Sequence, residues 1–156
     1  MPRPGGRMKN MGHGVLAALI LCAVSGCSGV KSRVAHGRIP DTINQQPNRS
    51  AFVEAIGIGA SDPSLPTETQ RKALARDAAI VKAQYELLAM VKGVQLEGGI
   101  TVDRAMETNS SLKAIVRDTV RGAEILKSEY TADSGCVVTL RLPKRRLEEL
   151  MGVKFR

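Results

Sequence analysis

The chain has 156 residues and a formal charge of +8, from 23 Lys/Arg against 15 Asp/Glu. That length holds one small domain with extensions. Two Phe, two Tyr and no Trp leave little with which to stack nucleic-acid bases, so nucleic acid is not an expected partner.

Residues 1–26 have the three parts of an export signal. Arg3, Arg7 and Lys9 make a positive start with no acidic residue among them, and Val15 to Val24 is an apolar run. Ten apolar residues are too few to cross a bilayer core, so the run is not a membrane-spanning helix. Val24-Ser25-Gly26-Cys27 resembles the lipobox of bacterial lipoproteins. Cleavage is expected between Gly26 and Cys27. The Cys27 thiolate takes a diacylglyceryl group as a thioether, and the freed amine takes a further acyl chain such as palmitate. Each buried methylene contributes about 0.8 kcal/mol, so one chain anchors marginally and two or more anchor stably. Ser28 in place of Asp is compatible with sorting to the outer membrane, on the periplasmic face of a Gram-negative-type envelope. The leader carries three of the cations, so the mature charge falls to +5.

Residues 27–50 comprise the lipidated cysteine and a polar stretch without sustained apolar periodicity, broken by Pro40 and Pro47. This reads as a flexible tether. As a random coil it spans about 25–30 Å, at about 5–6 Å per square root of residue number. His36 lies in it without a partner ligand nearby in the sequence and is expected in solvent.

A single domain is expected over residues 51–156. Residues 52–59 (FVEAIGIG) predict a strand. Phe52, Glu54, Ile56 and Ile58 share one face; Val53, Ala55, Gly57 and Gly59 share the other. The two glycines remove side chains, which lets a helix or backbone approach closely. Gly57 and Gly59 suggest a dinucleotide fingerprint, but Asp62 stands where the third glycine belongs. Pro63 and Pro66 also delay the helix, so no phosphate site is expected.

Thr67 with Gln70 makes a capping box, opening a helix that runs to about Lys92 and stops at Gly93. Leu74, Ala78, Val81, Tyr85, Leu88 and Val91 recur at helical spacing and predict the inward stripe, widened by Ile80 and Leu87. Residues 94–103 (VQLEGGITVD) predict a second strand bent at Gly98-Gly99. Residues 104–109 are a polar stretch. Ser110 or Ser111 caps a shorter helix to Arg121, with Leu112, Ile115, Val116 and Val120 inward and Gly122 as its stop. Residues 123–131 and 136–142 predict a hairpin turned by Ala132-Asp133-Ser134-Gly135. Cys136, Val138, Leu140 and Leu142 share one of its faces; Val137, Thr139 and Arg141 share the other. Pro143 ends the strand and opens a last helix, Lys144 to Met151.

Cys22 leaves with the leader, Cys27 is lipidated and Cys136 stands alone, so no internal disulfide is expected and Cys136 reads as a small buried hydrophobe. His13 and His36 both precede residue 51. The domain therefore has no histidine to act as base or ligand. No catalytic residue, metal site, cofactor or small-molecule substrate is expected, and the chain reads as a non-enzyme.

Four segments carry a family resemblance: Ala55-Ile56-Gly57-Ile58-Gly59; Ala75-Arg76-Asp77-Ala78-Ala79-Ile80 with Ala83 and Leu87; Val120-Arg121-Gly122-Ala123-Glu124-Ile125; and Cys136-Val137-Val138-Thr139-Leu140. Over roughly residues 51–142 the chain resembles the twenty-kilodalton bacterial membrane-associated lipoproteins. That family includes flagellar assembly lipoprotein P and is similar to the N-terminal domain of flagellar assembly protein T. The resemblance implies an outer-membrane lipoprotein, in some members part of structures around the flagellar base, without catalytic residues.

The expected fold is α+β. About four mostly antiparallel strands pack against one long and one short helix, in the order β-α-β-α-β-β, with a short helix to finish. The expected function is an envelope structural or assembly component, associating with itself or with a protein partner. The alternative is a lipid-anchored binding module for peptidoglycan or another envelope polymer, through basic residues such as Lys144, Arg145 and Arg146.

Overall fold

The computed structural model describes residues 31–40 and 51–156. Seven elements follow one another: β1 (Phe52–Gly59), α1 (Glu68–Lys92), α2 (Val102–Thr108), α3 (Ser110–Arg121), β2 (Glu124–Tyr130), β3 (Cys136–Pro143) and α4 (Lys144–Met151). The architecture is α+β. The three strands are antiparallel in the order β1-β3-β2, so β3, last in the chain, is the central strand.

The expected fourth strand is absent from the described residues. Residues 94–101 double back on themselves, because Gly98 and Gly99 both take positive φ (112° and 81°). The Leu96 N–H donates to the Ile100 carbonyl at 2.8 Å and the Val102 N–H to the Val94 carbonyl at 3.0 Å. The alternation of Val94 and Leu96 is real, and both are buried, but the glycine pair turns the segment before it can reach the sheet. Residues 154–156 lie alongside instead: the Glu97 N–H donates to the Lys154 carbonyl at 2.9 Å and the Arg156 N–H to the Gln95 carbonyl at 3.0 Å.

The polar stretch 104–109 is largely helical. Thr101 caps α2 by accepting from the Arg104 N–H, and Met106 points inward, 5% exposed. The cap of α3 is Asn109, whose Oδ1 accepts from the Leu112 N–H at 3.1 Å, rather than Ser110 or Ser111. Asn is as good a cap as Ser, and it occupies the extended residue between the two helices. The capping box on α1 forms as the sequence predicts: Thr67 Oγ1 accepts from the Gln70 N–H at 3.2 Å, and the Gln70 side chain accepts from the Thr67 N–H at 3.4 Å.

The face of α1 that turns inward matches the predicted stripe at Leu87 and Val91, with Ile80 and Leu88 partly packed on the core, and differs from it toward the N-terminal half. Ala75, Ala79, Ala83, Leu87 and Val91 are fully buried, whereas Leu74, Val81 and Tyr85 are 48%, 65% and 66% exposed. The cause lies in β1. A Cβ on Gly57 would stand 2.0 Å from the Ala79 carbonyl oxygen and 2.4 Å from the Ala83 nitrogen; one on Gly59 would stand 1.9 Å from the Ala75 oxygen. The helix backbone therefore rests against bare strand backbone, and only alanine fits in that gap. Larger residues are turned away from it.

Val53 and Ala55 join the glycines on the helix side of the sheet, opposite Leu142 and Leu140 of β3. These side chains, with Val116 and Val120 of α3 and Leu147 of α4, make one continuous core. Across the sheet, Arg141 Nη2 and Nε reach Glu54 Oε1 at 2.7 and 2.9 Å, and the guanidinium lies 4.2 Å over the Phe52 ring. This cross-strand pair fixes the β1–β3 register on that face.

Candidate functional site: the outer face of α1 and the docked segment 31–40

Gly26 and Cys27, expected to be the cleavage and lipidation positions, lie outside the described residues. Of the rest of the expected tether, residues 31–40 are described, and they are held to the domain. Ala35 and Arg38 exchange backbone hydrogen bonds at 2.9 and 3.0 Å across His36-Gly37. Both central residues take positive φ (52° and 73°), as in the tight hairpin turns. The Gly37 carbonyl accepts from the Ala132 N–H at 2.8 Å, joining this small hairpin to the β2–β3 turn. His36 is exposed at its tip.

The second attachment is Glu129 of β2. Its carboxylate accepts from the Ser32 hydroxyl, from the Arg33 N–H at 2.7 Å and from Lys127 Nζ at 3.2 Å. Burial pushes this carboxyl up, but the donors from Ser32, Arg33 and Lys127 outweigh it and hold it below the ordinary glutamate range. A depressed carboxyl supplies stability at pH values above its unfolded range and loses it as pH falls through the folded one. The segment is therefore expected to be held at neutral pH and released in acid. Hydrogen-exchange protection at the Arg33 amide should decline below the ordinary glutamate range, and Glu129→Gln should lower it already at pH 7. Equal protection at pH 7 and pH 3 would contradict this. Nothing in the local sequence signals the contact, since polar residues at 32 and 33 look the same free or docked.

A hollow of about 560 Å³ opens between this hairpin, the end of β1 and the β2–β3 turn. Its walls at Ile39 and Ile58 are apolar. Its acidic group, Asp133, is occupied by Thr131 Oγ1 at 2.5 Å. That hydroxyl and nearby backbone amides hold the Asp133 carboxyl below its usual range. Among the described residues no group of three or more His, Cys, Asp or Glu is placed to hold a metal ion. Cys136 is fully buried, and burial pushes its thiol up, away from the reactive thiolate form. The basic run that opens α4 is partly engaged within the domain: Arg145 pairs with Glu149 at 2.7 Å, and Arg146 donates to the Gly122 carbonyl at 3.3 Å.

What the domain does present is the outer face of α1. Leu74, Ala78, Val81 and Tyr85 form an exposed apolar line on the side opposite buried Ala79 and Ala83, continued by half-buried Leu88. Asp77 flanks the line on one side. Lys82 flanks it on the other, paired with Glu86 at 2.7 Å and lying 5.4 Å from the centre of the Tyr85 ring. The sequence does point to this stripe through its periodicity, though as core. No helix among the described residues is long and apolar enough to cross a membrane. No family model matches this chain, and neither does any curated protein or any solved structure.

Proposed function

We propose that the chain is a non-enzymatic lipoprotein of the outer membrane, a self-associating structural or assembly component of the envelope. The observation that carries this reading is Val24-Ser25-Gly26-Cys27 at the end of a ten-residue apolar run behind three cations. A cysteine in that position supplies a membrane anchor and needs no apolar helix in the domain. The exposed apolar line on α1 supports a protein partner, because a helix apolar on two opposite sides has more to cover than its own sheet covers.

Membership of the twenty-kilodalton lipoproteins, with a place beside the flagellum, is part of the same proposal. Its support is that the residues behind the resemblance do identifiable work: Gly57, Gly59, Ala75, Ala79 and Ala83 are the ones that bring α1 onto β1. A motility assay on cells lacking the protein tests the flagellar part; unimpaired swimming would remove it.

The anchor is tested by Cys27→Ala. The wild-type chain should incorporate labelled palmitate and sediment with membranes, and Cys27→Ala should do neither. A Cys27→Ala protein that stays in the membrane fraction would overturn the lipoprotein reading.

A further inference from the structure

On α1 the exposed apolar positions 74, 78, 81 and 85 are spaced in steps of four and three, and half-buried Leu88, partly packed on the core, continues the spacing. That is the repeat with which two helices mesh in a coiled coil. The line faces away from Ala79 and Ala83, while Ala75, seven residues before Lys82, borders it on the sheet side against Gly59. The charges beside it are ordered as well. In this repeat Asp77 stands on one flank of the seam and Lys82, five residues on, stands on the other. In a parallel pair these two positions meet between chains, twice by symmetry. In an antiparallel pair each flank meets its own kind, so Lys82 faces Lys82 and Asp77 gains no cation. Asp77 has no ion pair within 4 Å among the described residues.

We infer that α1 is the seam of a parallel homodimer, with Leu74, Val81 and Tyr85 each meeting its own counterpart and Asp77 of each copy meeting Lys82 of the other. This extends the proposed scaffold by naming the partner, a second copy, and the surface it uses. It rests on that reading for the strength of the contact, because the seam is short: two heptads span about 21 Å. An interface of that size is weak between freely diffusing molecules. Copies held in one membrane leaflet meet at a far higher effective concentration. A parallel pair also places both N-terminal ends of α1 on the same side, where two tethers can reach one surface.

Cross-linking of the full-length protein in intact cells tests the inference. Leu74→Cys, Val81→Cys and Tyr85→Cys, each made alone, should give dimers with a short bis-maleimide several-fold above Arg117→Cys, an exposed position on α3. Buried Cys136 is common to all four. In an antiparallel pair centred on residue 81, the two residues at 74 would be about 21 Å apart along the axis. Cross-linking confined to Val81→Cys would therefore overturn the parallel arrangement, and none above the Arg117→Cys background would overturn the seam.

In the Val81→Cys background, adding Asp77→Lys should reduce the dimer band several-fold, and adding Lys82→Asp as well should restore it. These positions are exposed, and circular dichroism on each variant checks that the fold is kept. Membrane fractionation of the same cells reports on the anchor separately. Cross-linked protein in the soluble fraction would sink the lipoprotein reading and leave the seam standing; membrane-bound protein without cross-links would do the reverse.

Discussion

Gly57→Ala and Gly59→Ala should each destabilise the domain by about 3 kcal/mol or more, the upper end of the cost of overpacking. A methyl group at either position meets backbone atoms of α1 at about 2 Å. Carbonyl oxygens in the middle of a helix cannot swing aside as a side chain does, so the whole helix has to lift. Lifting it opens the contact along Ala75, Ala79 and Ala83 together. A domain of this size has about 5–15 kcal/mol in hand, and the double substitution should move the urea midpoint further down than either single one. Urea denaturation followed by circular dichroism measures both. A single substitution that costs under about 1 kcal/mol would mean that the helix does not lie against the strand as described.

Leu87→Ala should cost about 2–5 kcal/mol, whereas Val81→Ser should change stability by no more than about 0.5 kcal/mol. The two positions are less than two turns apart on α1 and both are apolar, yet Leu87 is fully buried and Val81 is 65% exposed. The contrast reports the rotation of the helix about its axis. If Val81→Ser proved as damaging as Leu87→Ala in urea titrations of a monomeric sample, the alanine face would not be the inner one. Measured at concentrations where the inferred dimer forms, Val81→Ser should also weaken association, which separates the two jobs of the helix.

Much of the chain's punctuation is legible from residue chemistry. Thr67 and Gln70 close their capping box, the Ala132–Gly135 turn joins β2 to β3, and α4 runs from Lys144 to Met151. Each depends on local stereochemistry that a short stretch contains in full. The faces of β1 and β3 were equally readable, because alternation admits only two choices and the glycines mark one of them.

The phase of α1 was not readable from the helix alone. Its larger apolar residues suggest one side, and Leu87 and Val91 are inward as they suggest, but along Ala75, Ala79 and Ala83 the inward side is set by β1, which offers bare backbone there and admits only methyl groups. A rule that ranks faces by apolar bulk chooses the wrong side wherever the opposing surface is flat. Residues 94–103 resemble a strand in sequence without being one for a related reason. Val94 and Leu96 do alternate inward, but successive glycines with positive φ shorten the run below what a sheet strand requires. In the candidate site, the stripe itself was visible as periodicity. Its exposure and the docking of Ser32 and Arg33 on Glu129 depend on tertiary neighbours, and no local pattern encodes them.

The strand order has a consequence for how the molecule comes into being. β1 is the first element of the domain to be synthesised, and its sole sheet neighbour among the described strands is β3, with Ile56 opposite Thr139. Most of the domain must therefore be available before the first strand can pair. Such wide loop closure slows folding. It also means that a partly delivered chain has no stable sheet in which to become trapped. If the chain is exported unfolded through a membrane pore, as the proposed lipoprotein would be, it gains from that delay, since it commits to its fold only when nearly all of it has arrived.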